Sequence, residues 1–436
     1  MIEGVDPYLA VRGARLVRWN GDFYSFVKGT YRVVEAEAIR AEVYSLTAAN
    51  TKSKVDKFID ALKARVFADR DRLAPPCWLE SVALDPSHLI VVRNGLLDLS
   101  TGKLWAHDDR FFSLTALPFD YDPNATAPRW TRFLAASWPN EPDCIDALQL
   151  IFGYLISSRT DLQVIPILTG PPRSGKGTIG RAMTELLGEG NWAAPTLDSL
   201  GENFGLQSLI GKRLALISDA RIGKRSNKSA ITETLLRVSG EDPLSVSRKF
   251  QPDWEGRLGA VIVIMGNEPP TFHDASSALI ARYRVLAMRQ TFVGREDRAV
   301  GRAISAEMPG VLNWAIEGWR KLNRVGEIVQ PASAAEVVAS MDRLANVVRA
   351  FVEDICVLDP AGTIDKADTY DRFKIWCDEN GVRNSLSREW FGREILTAFG
   401  HRGVQSTKRP DGAGARVPIS RGLRLRSFGE ADTSSS

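Results

Sequence analysis

The stretch VIPILTGPPRSGKGT, residues 164–178, decides how this chain folds. Its apolar start is typical of a buried strand, its middle is rich in glycine and proline, and Ile179, Met183 and Leu186 follow at helical spacing. Strand, loop and helix in this order form the repeating unit of a parallel sheet covered by helices. Pro166 fits a central strand poorly, because it has no N–H for a ladder bond. The alternation of strands and helices continues downstream, so we predict an α/β fold with a parallel sheet core.

The loop in this stretch has the residue types that hold a nucleoside triphosphate. Glycines let backbone N–H groups point inward, the following helix presents its positive amino end, and a lysine adds one mobile cation. The candidate nucleotide-binding residues are Gly170, Pro171, Pro172, Arg173, Ser174, Gly175, Lys176, Gly177 and Thr178. In the usual pattern a Ser or Thr directly follows the lysine and ligates Mg²⁺, but Gly177 stands there, so Thr178 becomes the candidate ligand. An ordinary glycine-rich turn is the alternative interpretation.

Polar residues downstream would complete an ATPase. Asp219 follows the apolar strand at residues 214–217 and can hold Mg²⁺ or polarise the attacking water, while Asn267 follows a second apolar strand and can orient that water. Arg282 can stabilise the charge that develops on a neighbouring subunit's γ-phosphate, with Arg284 as the reserve candidate. The alternatives are a surface aspartate, an asparagine in a turn and salt-bridging arginines.

Five motifs occur in a fixed order: GPPRSGKGT, ISDAR, SGEDPLSVSRK, IVIMGNEPP and ALIARYR. Together they resemble superfamily 3 helicases, and more narrowly the helicase portion of phage and plasmid primase-helicases, over about residues 89–322. The resemblance implies an AAA+-like P-loop ATPase that uses ATP and Mg²⁺ and assembles as a homo-oligomer, a hexamer in the family. The roles that it implies are Walker A for Lys176 and Thr178, Walker B for Asp219, polar sensor for Asn267 and a finger donated to the adjacent subunit for Arg282.

The same resemblance implies a hairpin that follows DNA through the central channel of the ring. Lys249 and Phe250 correspond to its tip. A lysine beside an aromatic ring offers charge for phosphates and a face for bases, which together grip single strands without reading sequence. An exposed turn is the alternative.

Two departures from the family pattern matter. Ser218 stands where relatives often have a second acid, so Glu241 or Asp242 would have to assist Asp219, or hydrolysis would be slower. The leading residues 1–80 are too short for the polymerising domain of full primase-helicases. We therefore expect no primer synthesis, which leaves a separate primase or polymerase as a candidate partner.

The carboxy-terminal part combines helical patterns with a basic hairpin. Helices are predicted at residues 341–356, 367–380 and 387–399, followed by a hairpin around Asp411-Gly412, as in a winged helix. Residues 388–426 contain nine basic and three acidic residues, a net charge of +6. Such charge suits duplex phosphates, although it is also typical of a solvated surface. The candidate DNA contacts are Lys408, Arg409 and Arg416.

Turn and boundary signals divide the 436 residues into four predicted parts. They are a small N-terminal α+β domain at 1–80, a β-hairpin and helical collar region at 81–160, the P-loop helicase/ATPase domain at 161–325, and a winged-helix-like DNA-binding domain with a disordered tail at 326–436. In the first part, Asn20-Gly21 predicts a tight hairpin turn, and a helix is expected to start at Ser53.

Composition excludes several classes of protein. The net charge is only +3, so affinity for polyanions must come from local clusters. The four cysteines lack the spacing of a zinc site and are too few for a disulfide scaffold, which predicts core thiols in a reducing compartment. No apolar run approaches the roughly 20 residues of a membrane span. We expect a cytoplasmic protein, in the cytosol of a bacterial host.

These features favour a ring-forming, ATP-dependent DNA helicase or translocase that acts on single-stranded and forked DNA during replication of a phage, plasmid or other mobile element. A replication initiator in which ATP only sets assembly would use nearly the same residues. A nucleoside monophosphate kinase also carries SGKGT after a proline-containing loop, but it would leave Asn267 and Arg282 unexplained. Unwinding polarity, origin sequence, subunit number, partner proteins and the role of residues 1–80 stay open.

Overall fold

The structure is a computed structural model that describes residues 4–47, 49, 51–70, 72–221, 223, 226–270, 277–295, 297, 299–345, 347–380, 386–410 and 416–426. The chain divides into two compact units. One consists of Met1–Pro270 with Arg282–Val337, and the other of Thr271–Ala281 with Val338–Ser436. Each has a hydrophobic core of its own. The finer division into four parts remains a prediction.

The first unit begins with a four-stranded sheet in the order β3-β2-β1-β4, packed against three helices. Asn20 and Gly21, at φ 48° and 89°, make the predicted tight turn between the first two strands. The expected helix start at Ser53 is wrong, because Thr51 caps that helix by accepting the N–H of Lys54. The elements are α1 (Val5–Arg12), β1 (Leu16–Trp19), β2 (Asp22–Val27), β3 (Thr30–Val34), α2 (Ala36–Leu46), α3 (Lys52–Arg65) and β4 (Phe67–Ala68).

Short strands, a half-exposed helix and a largely buried helix lead from this sheet to the centre of the unit. Gly95 opens the second strand of the predicted hairpin, opposite Val92. The elements are β5 (Cys77–Trp78), β6 (Leu89–Val92), β7 (Gly95–Asp98), β8 (Leu104–Trp105), β9 (Phe111–Phe112), α4 (Pro128–Ser137) and α5 (Pro142–Ile156).

The centre is a five-stranded, fully parallel sheet in the order β11-β12-β15-β10-β16, which confirms the α/β prediction. Pro166 lies in β10, before the ladder with β15 begins at Ile167 and inside the ladder with β16, where it is opposite Arg284. The elements are β10 (Ile165–Thr169), α6 (Lys176–Leu187), β11 (Trp192–Ala193), β12 (Leu214–Ile217), α7 (Lys228–Ser239), β13 (Leu244–Arg248), β14 (Gln251–Gly256), β15 (Val261–Gly266), α8 (Ser277–Arg282), β16 (Tyr283–Ala287), α9 (Val300–Ala306) and α10 (Met308–Val325).

In the second unit, helices pack on a three-stranded antiparallel sheet in the order β17-β19-β18. The helix predicted at 341–356 is partly wrong, because Cys356 opens a strand that the sequence did not reveal. A proline and a register shift between Leu358 and Thr363 interrupt the pairing of this strand with its neighbour in the sheet. The alternation of apolar and polar residues that marks a strand is therefore not visible in the sequence. The elements are α11 (Ala335–Ala345), α12 (Val347–Ile355), β17 (Cys356–Asp365), α13 (Lys366–Glu379), α14 (Arg388–Phe399), β18 (Gln405–Pro410) and β19 (Arg416–Leu425). Asp411-Gly412 and the predicted tail lie outside the described residues.

Three of the four cysteines are core thiols, as predicted. Cys144, Cys356 and Cys377 are buried, Cys77 is half-buried, and all four thiols are free. Within the part of the chain that the structure describes, no helix combines the length and apolarity that crossing a bilayer needs.

Candidate functional site

The loop from Gly170 to Thr178 connects β10, in the interior of the sheet, to α6, and two glycines fix its shape. Gly170 has φ 151°, and a Cβ there would lie 2.0 Å from the carbonyl oxygen of Met288. Gly175 has φ 104°, and a Cβ there would lie 2.9 Å from the ring of Phe133 on α4. Side chains at either position would collide with these neighbours. The glycines therefore allow the loop to lie against β16 and α4.

The segment after β16 fastens the outer side of this loop. The N–H of Met288 donates to the Thr169 carbonyl at 2.7 Å, and the N–H of Phe292 donates to the Arg173 carbonyl at 3.0 Å. The Thr291 hydroxyl donates to the Pro172 carbonyl at 3.1 Å. These bonds fix the loop on the side of the segment that follows β16. The amino end of α6 lies on the other side of the loop.

Lys176, the first residue of α6, folds back over the loop. Its Nζ donates to the carbonyl oxygens of Gly170 at 2.7 Å and Pro171 at 2.8 Å, and to the Ser174 hydroxyl at 3.1 Å. Burial lowers the pKa of the ammonium group. Three neutral oxygens thus surround a half-buried cation, and an incoming anion would compete with them.

Thr178 lies in the first turn of α6, where its hydroxyl accepts a bond from Nη2 of Arg181 at 3.3 Å. Its N–H is used inside the helix, by the Gly175 carbonyl at 2.9 Å. Gly177 faces open space, since the nearest atom to a Cβ there is Nη1 of Arg181, 3.7 Å away. The position that usually carries the metal-ligating hydroxyl is therefore open on its outer side.

Asp219 and Asn267 lie at the same carboxyl edge of the sheet as the loop. Strand β15 runs between β12 and β10, so Asn267 stands between the Asp219 segment and Gly170. The carbonyl of Asn267 accepts the Thr169 hydroxyl at 3.2 Å, and its side chain is exposed. Arg221 lies 3.0 Å from the Asp219 carboxylate, and this bond holds the pKa of that carboxyl below its usual value. Asp219 is therefore ionised and already paired.

Two further carboxylates near this edge were missed by the sequence reasoning. Glu268 is exposed and follows Asn267 directly. Asp198 accepts the N–H of Gly223, in the segment after Asp219, at 3.1 and 3.2 Å. The adjacency of Glu268 to Asn267 was a usable signal, whereas Asp198 is distant in sequence and only the fold brings it here.

Arg282 and Arg284 lie at the opposite, amino edge of the sheet, where β16 begins beside the start of β10. The Arg282 guanidinium donates to the Leu236 carbonyl and, at 2.8 Å, to the Ser239 hydroxyl, at the end of α7. Arg284 donates to the carbonyl of Ile328. Neither arginine therefore belongs to the loop site of its own chain.

Glu241 is also at the amino edge, and this corrects one expectation. Its carboxylate accepts the Thr160 hydroxyl, just before β10 begins. Because the loop starts where β10 ends, Glu241 cannot assist Asp219 in the site of the same chain.

The hairpin of β13 and β14 places Lys249 and Phe250 in its two-residue turn. Phe250, at φ 60°, is fully exposed. The N–H of Lys249 donates to the Gln207 side chain at 3.3 Å, and its ammonium group lies 5.8 Å from the Phe204 ring. An aromatic ring and a cation thus stand together at an exposed tip.

The N-terminal sheet holds the sides of this hairpin. Arg248 pairs with Asp22 at 3.0 Å, and Glu255 pairs with Arg70 at 2.8 Å. The side-chain amide of Asn20 donates to the Glu255 carbonyl at 3.0 Å. Residues 1–80, which the sequence left without a role, therefore contact the hairpin directly.

In the second unit, the candidate DNA contacts lie on the β18–β19 hairpin. Lys408 and Arg409 follow one another on β18, and Arg416 begins β19 opposite Pro410. All three side chains are exposed. Helix α14 adds an exposed Trp390, over which the Arg393 guanidinium lies 4.4 Å from the ring. The unit thus presents several cations and an aromatic ring to solvent.

Three regions of the chain match family models. Residues 9–139 match the D5 N terminal like family, residues 168–282 match a family of unknown function (DUF5906), and residues 343–417 match the poxvirus D5 protein-like family.

Solved structures of the NrS-1 C terminal region share the fold. Its apo structure of residues 305–718 has a TM-score of 0.56 at 12% identity and covers 95% of this chain and 97% of that chain. The A form apo structure has a TM-score of 0.52 at 12% identity and covers 95% and 98%. At this identity the likeness concerns the fold. The chain is thus similar, over residues 9–139 and 343–417, to D5-type family models, and it shares the fold of the NrS-1 C terminal region.

Proposed function

We propose that the chain is an ATP-driven DNA helicase or translocase that works as a homo-oligomeric ring in the replication of a mobile element. One observation carries the proposal. The Gly170–Thr178 loop joins an interior strand to a helix, with Lys176 at its centre and with Asp219 and Asn267 at the same edge of the sheet. The carboxyl edge of a parallel sheet is where such folds bind ligands.

The loop fits the phosphates of a nucleotide. Its glycines bring the backbone close, the start of a helix offers N–H groups to an anion although that of Thr178 is bonded to the Gly175 carbonyl, and Lys176 already binds three oxygens that phosphate oxygens would replace. We expect Lys176 to leave Gly170 and Pro171 when ATP binds and to neutralise charge on the β- and γ-phosphates. The reaction is attack of water on the γ-phosphate, with Asn267 orienting that water.

Mg²⁺ would be held by Asp219 and Thr178, together with the phosphates and water. Among the described residues, no three His, Cys, Asp or Glu side chains form a metal-binding group, which supports a site that the nucleotide helps to build. For the Asp219 carboxylate to ligate Mg²⁺ directly, its ion pair with Arg221 would have to break.

Arg282 supports a site shared between subunits. It lies at the edge opposite to its own loop, so it can contact a γ-phosphate only in a neighbouring chain. We propose that it leaves Ser239 and stabilises the transition state across the interface, with Arg284 as the reserve candidate.

DNA would contact two separate surfaces. Lys249 and Phe250 offer a cation and a stacking face to a single strand in the channel of the ring. We propose a winged helix in the second unit, which the order helix, strand, two helices and two strands supports, with Lys408, Arg409 and Arg416 contacting duplex phosphates. The division at residues 80, 160 and 325 is part of this proposal.

The test combines ATP hydrolysis, with and without single-stranded DNA, and unwinding of a forked duplex. We expect DNA to stimulate hydrolysis and strands to separate. Lys176→Ala should abolish hydrolysis and leave DNA retention at low salt, whereas Lys57→Ala, an exposed lysine on α3, should behave as wild type. If a folded Lys176→Ala protein lost both ATP hydrolysis and DNA retention, the result would contradict the proposal.

A mixing experiment tests the shared site. When Arg282→Ala subunits are mixed with wild type, the rate of ATP hydrolysis should fall by more than the fraction of variant subunits, since each variant subunit disables a neighbour's site. A rate that falls linearly with that fraction would contradict a shared site. Hydrolysis without unwinding would favour the initiator alternative. Phosphorylation of AMP would favour the kinase, which has no specific structural support.

A further inference from the structure

A cleft of about 1270 Å³ lies within the first compact unit, between the N-terminal sheet and the central sheet. Strands β1 to β3 form one wall, the segment before β12 forms the other, and the β13–β14 hairpin stands at its side. Pockets for small molecules have volumes of roughly 300–1,000 Å³. The size of this cleft favours a polymer strand over a small metabolite.

The wall is basic. Among the residues that the structure describes, eight arginine or lysine residues line the cleft against four acidic residues. Two of the acids are already neutralised, Asp22 by Arg248 and Glu255 by Arg70. The remaining acids, Glu35 and Glu37, lie at the start of α2. The cleft therefore carries an excess of positive charge on a chain whose overall charge is only +3.

Two of the cations meet across the cleft at Gly190. Nη1 of Arg32, on β3, lies 3.7 Å from the position that a Cβ would take on Gly190, and Nζ of Lys212 donates to the Gly190 carbonyl at 2.6 Å. Burial, and then the nearby Arg32, lower the pKa of the Lys212 ammonium group. No acidic side chain among the described residues pairs with either cation. Like charges so placed repel one another unless an anion lies between them.

The same walls contain buried donors without partners. Nε of Arg18 and the indole N–H of Trp254 are both buried, and within the described part of the chain neither donates a hydrogen bond. Both residues line the cleft. Both atoms are closed off from solvent, so they add polar character to the wall and are not themselves contacts for a ligand in the cleft. Phe250 adds a fully exposed ring to the same lining.

We propose that this cleft binds the sugar-phosphate backbone of a single DNA strand, with a phosphate held between Arg32 and Lys212. The phosphate converts the repulsion of the two cations into attraction, and the strand then passes Phe250 at the hairpin tip. This inference rests on the proposed function, and it gives residues 1–80 a role as the second wall of a strand path.

The salt dependence of binding tests the proposal. Anisotropy of a labelled oligothymidine is measured with the full-length wild type and with Arg32→Gln/Lys212→Gln between 0.05 and about 0.5 M salt. Losing the one phosphate held between these two cations should lower the slope of log K against log[salt] by about 0.7. If the two curves converge near 1 M, affinity at 0.1 M falls about 5-fold. Lys57→Gln/Arg302→Gln, which removes the same charge from exposed helical positions, should leave the slope unchanged.

Two further measurements separate contact from folding. Removing two repelling charges should leave the thermal midpoint of Arg32→Gln/Lys212→Gln at or above that of wild type. The swap Arg32→Lys/Lys212→Arg should retain the slope, because it keeps both charges. A lowered midpoint, or a lost slope in the swap, would overturn the proposal.

The outcomes also distinguish this inference from the proposed function. If wild type neither hydrolyses ATP nor binds the oligonucleotide, the proposed function fails. If wild type does both and Arg32→Gln/Lys212→Gln binds with the wild-type slope, only this inference fails. Wild type that binds polyglutamate of equal charge as tightly as the oligonucleotide, through the same two residues, would overturn the assignment to a nucleic-acid strand.

Discussion

Two glycines of the loop, two residues apart, should respond oppositely to the same substitution. Gly175 has φ 104°, a left-handed backbone that costs an L-residue about 1–2 kcal/mol. A Cβ there would lie 2.9 Å from the Phe133 ring, which is itself buried, and overpacking of this kind costs about 1–3 kcal/mol. Gly175→Ala should therefore destabilise the loop and the start of α6 by about 2–5 kcal/mol.

Gly177 is the matched control. It lies inside the first turn of α6, has no φ in the left-handed range, and faces open space. Replacing glycine by alanine within a helix stabilises it by about 0.5–1 kcal/mol. Gly177→Ala should therefore stabilise α6 slightly, so the two variants differ in sign.

Amide hydrogen exchange of β10 and α6 is the appropriate assay, because a chain with two compact units need not unfold in one step. Gly175→Ala should increase exchange there, and Gly177→Ala should not. The double variant Gly175→Ala/Phe133→Ala separates collision from backbone strain, since removing the ring relieves only the collision. If Gly175→Ala exchanges as wild type does, the reasoning from φ and contact distance is refuted.

Three further predictions concern stability, pH dependence and thiol reactivity. Arg213 is buried and donates to four carbonyl oxygens, of Tyr154, Leu155, Arg159 and Gly259. Because each orphaned acceptor costs about 1–3 kcal/mol, Arg213→Met should destabilise the first unit by about 4 kcal/mol or more in thermal unfolding; an unchanged midpoint would contradict this. The Asp219 carboxyl should titrate below its ordinary value of 3.8, and Arg221→Ala should raise its pKa towards that value in an NMR titration. Because the pKa of Asp219 is lower in the folded state, the ion pair with Arg221 stabilises the protein fully at pH values above the pKa of the unfolded state. This stabilisation is lost as the pH falls through the pKa of the folded state. If Arg221→Ala leaves the pKa of Asp219 unchanged, the pairing is refuted. Burial raises the pKa of the Cys77, Cys144 and Cys377 thiols to about 11 and of Cys356 to about 12, so all four should react slowly with a disulfide reagent at pH 8 and quickly in denaturant; rapid reaction of a native thiol would contradict its burial.

The parts of the fold that the sequence predicted are those set by short-range signals. The Asn20-Gly21 turn, the strand before Gly170, and α6 were visible because periodicity and turn chemistry act within a few residues. β17 was missed because a proline and a register shift break its alternation. The start of α3 was misplaced by two residues because Thr51 and Ser53 are both capable of capping a helix.

The sequence by itself determined the loop, the lysine that opens α6 and the polar residues that follow the strands, because these depend on residue types at fixed local spacing. Only the tertiary structure decided which of them share an edge. The strand order brought Asn267 between the Asp219 segment and Gly170, sent Glu241 and Arg282 to the opposite edge, and set Arg32 against Lys212. These are contacts between residues far apart in the chain, and pairing order and packing, which no local pattern encodes, determine them.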